Sequence, residues 1–237
     1  KEKREEILDK FFSYEIPVLI VTRDLEVDKD IIEKAKKYNR VILSSKCNTT
    51  RFINRLSNYL DNKLAPHVTM HGVLVDVYGI GVLIKGESSI GKSETALELI
   101  QKGHRLVADD AVEIRKVDDS RLVGQAPEIL KHYMEIRVIG IIDVKILYGV
   151  GAIKNQKIVD LVVEFENWSQ ENEYDRLGLD REYEDILGTQ VEKIVVPVKP
   201  GRNTSMIIEV AAMNFRQKGM GIDAAQEFTK KLSEVID

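Results

Sequence analysis

The sequence predicts an α/β fold in which a phosphate-binding loop joins a strand to a helix. The pattern G-x-x-x-x-G-K-[ST] is matched at every fixed position by the run Gly86, Glu87, Ser88, Ser89, Ile90, Gly91, Lys92 and Ser93. An apolar run at 82–84 precedes this loop, and residues 94–100 follow it with helical spacing. A second apolar segment, 104–108, ends in two adjacent acids. Because both flanks agree with the motif, a phosphate site is favoured over a chance glycine turn.

The loop has the chemistry that a phosphate group requires. Glycines let the backbone fold tightly around the anion with its N–H groups pointing inward, and the N-terminus of the following helix adds a partial positive charge. Lys92 supplies a full positive charge, and the Ser93 hydroxyl can ligate Mg²⁺. We therefore expect residues 86–93 to bind a nucleotide or another phosphate compound.

Composition limits the possible functions. The 237 residues are 43% hydrophobic and carry a net charge of −4, so a general role in nucleic-acid binding is disfavoured. No apolar run reaches the roughly 18 residues of a membrane span, and no signal peptide is visible. Cys47 is the single cysteine and cannot form an internal disulfide, which suits a cytoplasmic protein. Because the first residue is Lys1 rather than Met, we expect the chain to be a fragment of a longer protein.

Two predicted domains meet near residue 64. In residues 1–64, apolar runs at 17–22 and 41–43 predict strands, and amphipathic segments at 28–38 and 49–60 predict helices. This small α/β domain contains no recognisable chemistry, so we expect an assembly or regulatory role for it. Residues 65–237 form the second domain, which carries the loop. A strand and turn are predicted at 71–79, further strands at 161–166 and 193–198, and helices at 203–217 and 223–236.

Asp109 and Asp110 are the first candidates for catalysis beyond the loop. They follow the strand that returns after the loop helix, and adjacent side chains at a strand end point to opposite sides. One carboxylate could therefore face Mg²⁺ while the other faces a hydroxyl that accepts the phosphoryl group. A solvated acidic turn is the alternative, and the spacing leaves both the alternative and the order of the two roles open.

Glu135 and Arg137 introduce opposite charges into an otherwise apolar stretch. A buried charge needs a partner, so the pair is interpreted either as a structural ion pair or as a metal ligand, Glu135, next to a phosphate ligand, Arg137. His71 is interpreted as a histidine in a turn. Arg176 lies in a polar stretch and could act as a mobile phosphate clamp.

A basic turn precedes the helix predicted at 203–217. Lys199 and Arg202 flank the Pro-Gly pair of this turn, and cations at a helix N-terminus form a reasonable site for an oxyanion. A basic loop without a ligand is the alternative.

Together these pieces resemble one family, the bifunctional HPr kinase/phosphorylases of Gram-positive carbon regulation. The resemblance extends from about residue 40 to the C-terminus and depends on the segments 71–79, 86–94, 103–110, 135–137, 175–178 and 196–203. It implies phosphorylation of a serine on the phosphocarrier protein HPr with ATP or pyrophosphate, and removal of that phosphate by inorganic phosphate to give pyrophosphate. It also implies a P-loop domain of the phosphoenolpyruvate carboxykinase type, a homohexamer, and an N-terminal domain of which about half is missing from this chain.

The resemblance also implies roles for individual residues. Lys92 would hold the transferred phosphates, and Ser93 and Glu135 would hold Mg²⁺. Asp110 would be the general base in phosphorylation and the acid in the reverse direction, with Asp109 beside it at the metal. Family active-site positions are matched by His71 and Arg176, and the segment tied to dephosphorylation is matched by Pro197 to Arg202.

Two positions depart from the family pattern. Ser89 stands where the family usually has Gly, which would cost on the order of 1 kcal/mol if the loop requires a positive φ there. Val138 and Ile139 stand where Gly-Leu is expected, and they add bulk next to Glu135. Two other functions remain as alternatives, a P-loop kinase of small molecules and a nucleotide-binding regulatory protein without transfer chemistry.

Overall fold

The structure, a computed structural model, describes residues 2–169 and 181–236. The chain divides into two compact units, Lys1–Leu64 and Ala65–Asp237. Both units mix helices and strands, which confirms the predicted α/β class. Within the described ranges no helix is both long enough and apolar enough to cross a membrane.

The first unit alternates helices and strands in the order α1 (Glu2–Ser13), β1 (Leu19–Val21), α2 (Lys29–Lys37), β2 (Ile42–Ser44) and α3 (Thr49–Leu64). The two strands pair in parallel, with Leu19 opposite Ile42. Phe12 and Ala35 are its most deeply buried apolar side chains. The two helices and two strands predicted for this region are confirmed, whereas no pattern in the charged residues 1–6 predicts α1.

The second unit contains the remaining elements. Its helices are α4 (Lys92–Gln101), α5 (Val144–Tyr148), α6 (Thr204–Gly219) and α7 (Ala224–Ile236). Its strands are β3 (His67–His71), β4 (Val73–Val77), β5 (Ile80–Gly86), β6 (Arg105–Ala108), β7 (Ala111–Lys116), β8 (Leu122–Gln125), β9 (Tyr133–Ile136), β10 (Gly140–Asp143), β11 (Gln156–Ile158), β12 (Leu161–Asn167), β13 (Glu182–Ile186) and β14 (Thr189–Val198).

A six-stranded sheet in the order β13-β14-β12-β5-β4-β6 organises this unit. Strands β5, β12 and β14 are parallel, so the turns that follow them leave the same edge of the sheet. The loop 86–93 follows β5 and the basic turn 199–202 follows β14, two strands away. Ligands of α/β sheets bind at such carboxyl edges, and this topology therefore brings the two anion-binding candidates to one side of the sheet.

The core lies on both faces of the six-stranded sheet. Val73, Val75 and Val77 of β4 alternate toward a cluster that includes Leu99 of α4 and Ile208 of α6, as the two-residue period of a strand requires. The other face of β4 contributes Leu74 to a second cluster, which includes residues of the four-stranded sheet β11-β8-β7-β3. Burial on both faces explains the continuous apolar run of β4, which a one-sided sheet would not need.

The strand and turn predicted over 71–79 are confirmed by β4 and the turn at 78–79, but His71 belongs to a separate strand that ends before Gly72. β3 ends at His71 and β4 begins at Val73, and the two belong to different sheets. At Gly72, which joins them, a Cβ atom would lie 2.7 Å from the carbonyl oxygen of Ile84. The chain can therefore change sheets at this point only because residue 72 has no side chain.

Candidate active site

A cavity of about 270 Å³ opens beside the loop. It gathers residues from the loop, from the ends of β3 and β6, and from the β9–β10 hairpin, and its lining consists of His71, Val73, Ser88, Ser89, Gly91, Lys92, Ser93, Glu94, Asp109, Asp110, Glu135, Ile136, Arg137, Val138 and Gly140. Four segments that are distant in the sequence thus meet at one site.

The loop adopts the backbone conformation that its glycines permit. Gly86 has φ of 133° and Gly91 has φ of 103°, both in the left-handed region that favours glycine. A Cβ atom on Gly86 would lie 2.5 Å from the carbonyl oxygen of Phe165. Ser89 has φ of 72°, so the positive φ considered for this position is confirmed. A non-glycine residue in this conformation carries the conformational energy described above.

Lys92 is the most buried cation of the site, with 6% of its surface exposed. Its ammonium group donates hydrogen bonds to the carbonyl oxygens of Gly86 at 2.9 Å and Glu87 at 2.8 Å. Burial lowers its pKa, and the nearby carboxylates, Asp109 foremost, oppose that shift. The charge is therefore held inside the curve of the loop, where a phosphate would meet it.

Asp109 is the buried member of the acidic pair, 3% exposed. Its Oδ1 accepts a hydrogen bond from the Ser93 hydroxyl at 2.9 Å, and its Oδ2 accepts one from the backbone N–H of Glu135 at 3.0 Å. Burial raises the pKa of Asp109, and these two hydrogen bonds act in the opposite direction. The carboxylate thus ties the loop to the β9–β10 hairpin.

Asp110 points the other way and is exposed. Its Oδ1 lies 3.1 Å from Nδ1 of His71, because β3 and β7 pair with His71 opposite Ala111. A φ of 66° at Asp110 turns the chain between β6 and β7. The two acids therefore face different environments, as the alternation at a strand end predicts, and the alternative of a solvated turn fits Asp110 alone.

The β9–β10 hairpin presents its charged residues to the cavity. Met134 and Ile136 are buried in the core, whereas Glu135 and Arg137 are exposed and line the cavity. The premise of a buried ion pair at Glu135 and Arg137 is therefore wrong, since the alternation of the strand puts both charges on its open face.

The tip of the same hairpin is strained. Val138 is fully exposed and has φ of 72°, which is unusual for a β-branched residue. Val138 lines the same cavity as Glu135, and its positive φ is one that Gly, the residue expected from the family pattern, adopts without strain.

The basic turn does not line the cavity. The Arg202 guanidinium donates a hydrogen bond to the carbonyl oxygen of Pro197 at 2.9 Å, and the Lys199 ammonium lies 5.2 Å from the centre of the Trp168 ring. Trp168 follows Asn167, whose side-chain amide donates to the Glu87 carboxylate at 3.1 Å. The turn is thus linked to the loop through neighbouring residues. Arg176 lies outside the described residues.

The oxygen donors beside the loop are compatible with Mg²⁺. In the part of the chain that the structure describes, no group of three or more His, Cys, Asp or Glu side chains is arranged to hold a metal ion. Mg²⁺ does not need such a cage, because it is usually bound by one or two carboxylates together with phosphate oxygens and water. The Ser93 hydroxyl and the Asp109 carboxylate, in contact beside the loop, are suitable oxygen ligands.

Besides the apolar residues Val73, Ile136 and Val138, two lining residues are not among the predicted site residues, namely Glu94 and Gly140. Glu94 directly follows Ser93, and its position next to the motif is the one signal that could have identified it. Gly140, with φ of 96°, closes the hairpin tip, and a glycine between two short apolar runs is the sequence signal that could have predicted this turn.

Comparison with known protein families identifies the chain. The HPr Serine kinase C-terminal domain matches residues 62–232, and the HPr Serine kinase N terminus matches residues 1–60. The chain belongs to the HPr serine kinase family. The two matched regions meet close to the boundary between the two compact units.

Relatives in this family are similar over most of the chain. HPr kinase/phosphorylase from Peptoclostridium acidaminophilum is 62% identical over 95% of this chain and 73% of its own length. The protein of the same name from Bacillus cereus strain B4264 is 50% identical over 100% of this chain and 76% of its own length. A solved structure, the Hpr(Ser) kinase/phosphatase from Coxiella burnetii, is 38% identical with a TM-score of 0.61, covering 68% of this chain and 98% of that chain.

Proposed function

We propose that this protein transfers a phosphoryl group to a serine of the phosphocarrier protein HPr and also removes it by phosphorolysis. The observation that supports this function most directly is that the two adjacent acids lie in different environments. Asp109 is buried against Ser93 of the loop, while Asp110 is exposed and contacts His71 across the same cavity. A phosphoryl transferase needs one group at the metal and another at the acceptor hydroxyl, and the two carboxylates occupy positions suited to these tasks.

In the forward direction, the loop would hold the terminal phosphates of ATP or pyrophosphate. Lys92 would release the carbonyl oxygens of Gly86 and Glu87 and bind phosphate oxygens instead, a stronger bond because both partners are charged. The Asp110 carboxylate accepts the proton of the serine hydroxyl as its oxygen attacks the terminal phosphorus. The bond from that phosphorus to the bridging oxygen breaks, and ADP or inorganic phosphate leaves.

Ser93, Asp109 and Glu135 are the proposed ligands of Mg²⁺. The hydroxyl and carboxylate of the first two are already in contact at 2.9 Å, and Glu135 lines the same cavity. When bound, magnesium neutralises the charge that develops on the phosphate oxygens. Arg137, on the open face of the hairpin, lines the same cavity and is suited to bind a phosphate oxygen there.

In the reverse direction, inorganic phosphate would attack the phosphorus of phosphoserine. Asp110 starts this direction in the protonated form that phosphorylation leaves. The bond from phosphorus to the serine oxygen breaks, that oxygen takes the proton from Asp110, and pyrophosphate forms. Two anions must then lie close together, and extra positive charge is needed to hold the attacking one. Lys199 and Arg202, at the carboxyl edge that also carries the loop, are proposed for this task.

The finer structural assignments are also part of this proposal. Parallel strands that end in a glycine loop and a helix support a P-loop domain of the phosphoenolpyruvate carboxykinase type, formed by residues 65–237. Residues 1–64 are proposed as the assembly or regulatory domain. A homohexamer is proposed from the family resemblance, and the exposed apolar residues Ile129, Ile139, Ile141, Ile146 and Val150 are of the kind that interfaces cover.

One experiment tests the function. The purified chain is incubated with ³²P-labelled ATP, Mg²⁺ and HPr, and phosphoserine-HPr is incubated separately with inorganic phosphate. Label on a serine of HPr and pyrophosphate in the second reaction support the proposal. Label released only as free phosphate, with none on HPr, would favour a small-molecule kinase whose acceptor is absent from the mixture, and nucleotide binding without transfer would favour a regulatory protein.

A further inference from the structure

A hydrogen bond joins the helix of the phosphate loop to the helix that follows the basic turn. The hydroxyl of Thr95, in the first turn of α4, lies 2.7 Å from the hydroxyl of Thr204, the first residue of α6. Thr95 is 4% exposed. Thr204 is partly buried. The two hydroxyls satisfy each other, and each loses this partner if the helices shift.

Polar contacts continue along the same pair of helices. The Lys102 ammonium, one residue beyond α4, donates hydrogen bonds to Ser205 at 3.0 Å and Glu209 at 2.6 Å, both on α6. His104 and Tyr78 also lie within hydrogen-bond distance of Glu209, at 3.1 Å and 3.2 Å. Ser205 is completely buried. We call this set of contacts, from Thr95–Thr204 to Glu209, the polar seam.

Apolar side chains also pack between α4 and α6. Leu99 of α4 and Ile208 and Ala212 of α6 belong to one buried cluster. Apolar packing is non-directional and tolerates small sliding movements, whereas hydrogen bonds fix distance and angle. The seam is therefore the feature that sets the register of α6 along α4.

The register of α6 along α4 matters because the phosphate loop directly precedes α4 and the basic turn precedes α6. α4 begins at Lys92, directly after the phosphate loop, and α6 begins at Thr204, two residues after Arg202. The Asn203 side chain caps α6 by accepting hydrogen bonds from the Met206 N–H and the Ser205 hydroxyl, each at 2.9 Å. A shift of α6 would therefore move the basic turn relative to the loop.

We infer that Thr95 and Thr204 are positioning residues that hold the basic turn, Lys199 to Arg202, at a fixed place beside the phosphate loop for binding inorganic phosphate. The inference depends on the proposed function. Phosphorylation by ATP uses the loop and the acids, which the hydroxyl pair does not touch. Phosphorolysis uses the turn in addition, so loss of the pair should impair the second reaction selectively.

The test compares four variants of the whole chain. Thr95→Val keeps the volume of the side chain and removes the hydroxyl, while Thr95→Ser keeps the hydroxyl. In the double variant Thr95→Val/Thr204→Val neither hydroxyl remains, so none is left buried without a partner. Thr189→Val is the matched control, since the Thr189 hydroxyl is buried and has no hydrogen-bond partner within the described residues.

Three quantities are measured for each variant: the rates of both reactions with phosphate titrated, the affinity of the chain for inorganic phosphate by calorimetry, and the melting temperature. In Thr95→Val the KM for phosphate should rise about 3- to 10-fold, as expected for one lost hydrogen bond, with kcat for phosphorylation within about twofold. Thr95→Ser and Thr189→Val should resemble the wild type.

The double variant separates positioning from stability. Removing both hydroxyls should restore most of the melting temperature, because no buried polar group is left unpaired, yet the weaker binding of phosphate should persist. Recovery of phosphate binding together with stability would overturn the inference, as would equal losses in both reactions or unchanged phosphate affinity in Thr95→Val. If the wild type performs neither reaction, the proposed function fails, and the calorimetric comparison alone decides the inference.

Discussion

The Ser93 hydroxyl donates a hydrogen bond of 2.9 Å to Oδ1 of Asp109. This contact joins the last residue of the phosphate-loop motif to the strand that returns beside it. Asp109 also accepts from the backbone N–H of Glu135, so one buried carboxylate organises three of the four segments of the cavity. The remaining segment, which carries His71, is held by Asp110. The adjacent acids therefore connect the whole site.

Lys92→Ala should lower both the phosphorylation and the phosphorolysis rates by about 10²- to 10³-fold, because one charge that stabilises the transition state is removed. Initial rates and circular dichroism are measured together. Lys85→Ala is the control: Lys85 lies on β5 one residue before the loop, where it pairs with Glu184, and it does not line the cavity. Near-normal rates in Lys92→Ala would refute the role of the loop.

Asp110→Asn should abolish most of both activities, by about 10²- to 10⁴-fold, since the amide cannot accept the serine proton. Binding of nucleotide should be retained because Asp110 is exposed and does not contact the loop. Asp109→Asn should instead raise the concentration of Mg²⁺ needed for half-maximal rate. Asp119→Asn, in the exposed acidic turn after β7, is the control. The opposite pattern in the first two variants would mean that the roles of the acids are exchanged.

Much of this site could be predicted from the sequence because its motifs are local. The loop, α4 and the acids after β6 lie in one strand–loop–helix–strand unit, where spacing determines geometry. The positive φ at Ser89 follows from the turn that the loop must make. The burial of Asp109 and the exposure of Asp110 follow from the two-residue period of a strand.

The rest depends on pairings between distant segments. Nothing near His71 indicates that β7 will pair with β3 and bring Asp110 beside it. Thr95 and Thr204 are separated by 109 positions, and neither belongs to a motif. The short strands β7 to β11 also escape periodicity analysis, because segments of three to six residues provide too few repeats.

Val138→Gly should raise the free energy of unfolding by about 0.5–1 kcal/mol. A β-branched residue at φ of 72° pays about 1–2 kcal/mol for the left-handed conformation, and the extra freedom of Gly in the unfolded chain offsets part of the gain. The side chain is fully exposed, so no packing is lost. Ile139→Gly is the control, and it should destabilise the protein in the same urea titration. Lower stability in Val138→Gly would show that the strain is absent.

Glu209→Gln should reduce stability at neutral pH and not at acidic pH. Burial alone would raise the pKa of Glu209, but hydrogen bonds from Lys102, His104 and Tyr78 outweigh it and lower the pKa below its ordinary 4.5. The folded state thus favours the carboxylate, so its contribution is present above pH 4.5 and is lost as the pH falls through the lowered pKa.

Thermal melting of both proteins between pH 3 and pH 8 checks this dependence. The difference in melting temperature should be largest near pH 7 and should shrink steadily below about pH 4.5. Glu98→Gln, an exposed change on α4, provides the baseline for removing one carboxylate. A difference that is constant with pH would mean that Glu209 stabilises the fold through packing and not through its charge.

Arg202→Ala should weaken phosphorolysis more than phosphorylation. In phosphorolysis, inorganic phosphate must be held next to phosphoserine, and the two anions repel each other. A neighbouring cation therefore contributes more to this reaction than to phosphorylation. We expect the KM for phosphate to rise about tenfold or more, since hydrogen bonds to charged groups contribute about 1.5–3 kcal/mol. The KM for ATP should change little.

Both reactions are measured on one preparation of Arg202→Ala, with phosphate titrated in the reverse direction. Arg202→Lys is the informative companion: it keeps the charge but cannot donate in the same forked geometry to phosphate and to the Pro197 carbonyl. If charge alone holds the phosphate, Lys should restore most of the affinity. If the guanidinium also has to brace the turn against Pro197, Lys should fail nearly as completely as Ala. Equal losses in the two directions would instead show that the turn positions HPr or the scaffold and has no selective role toward phosphate.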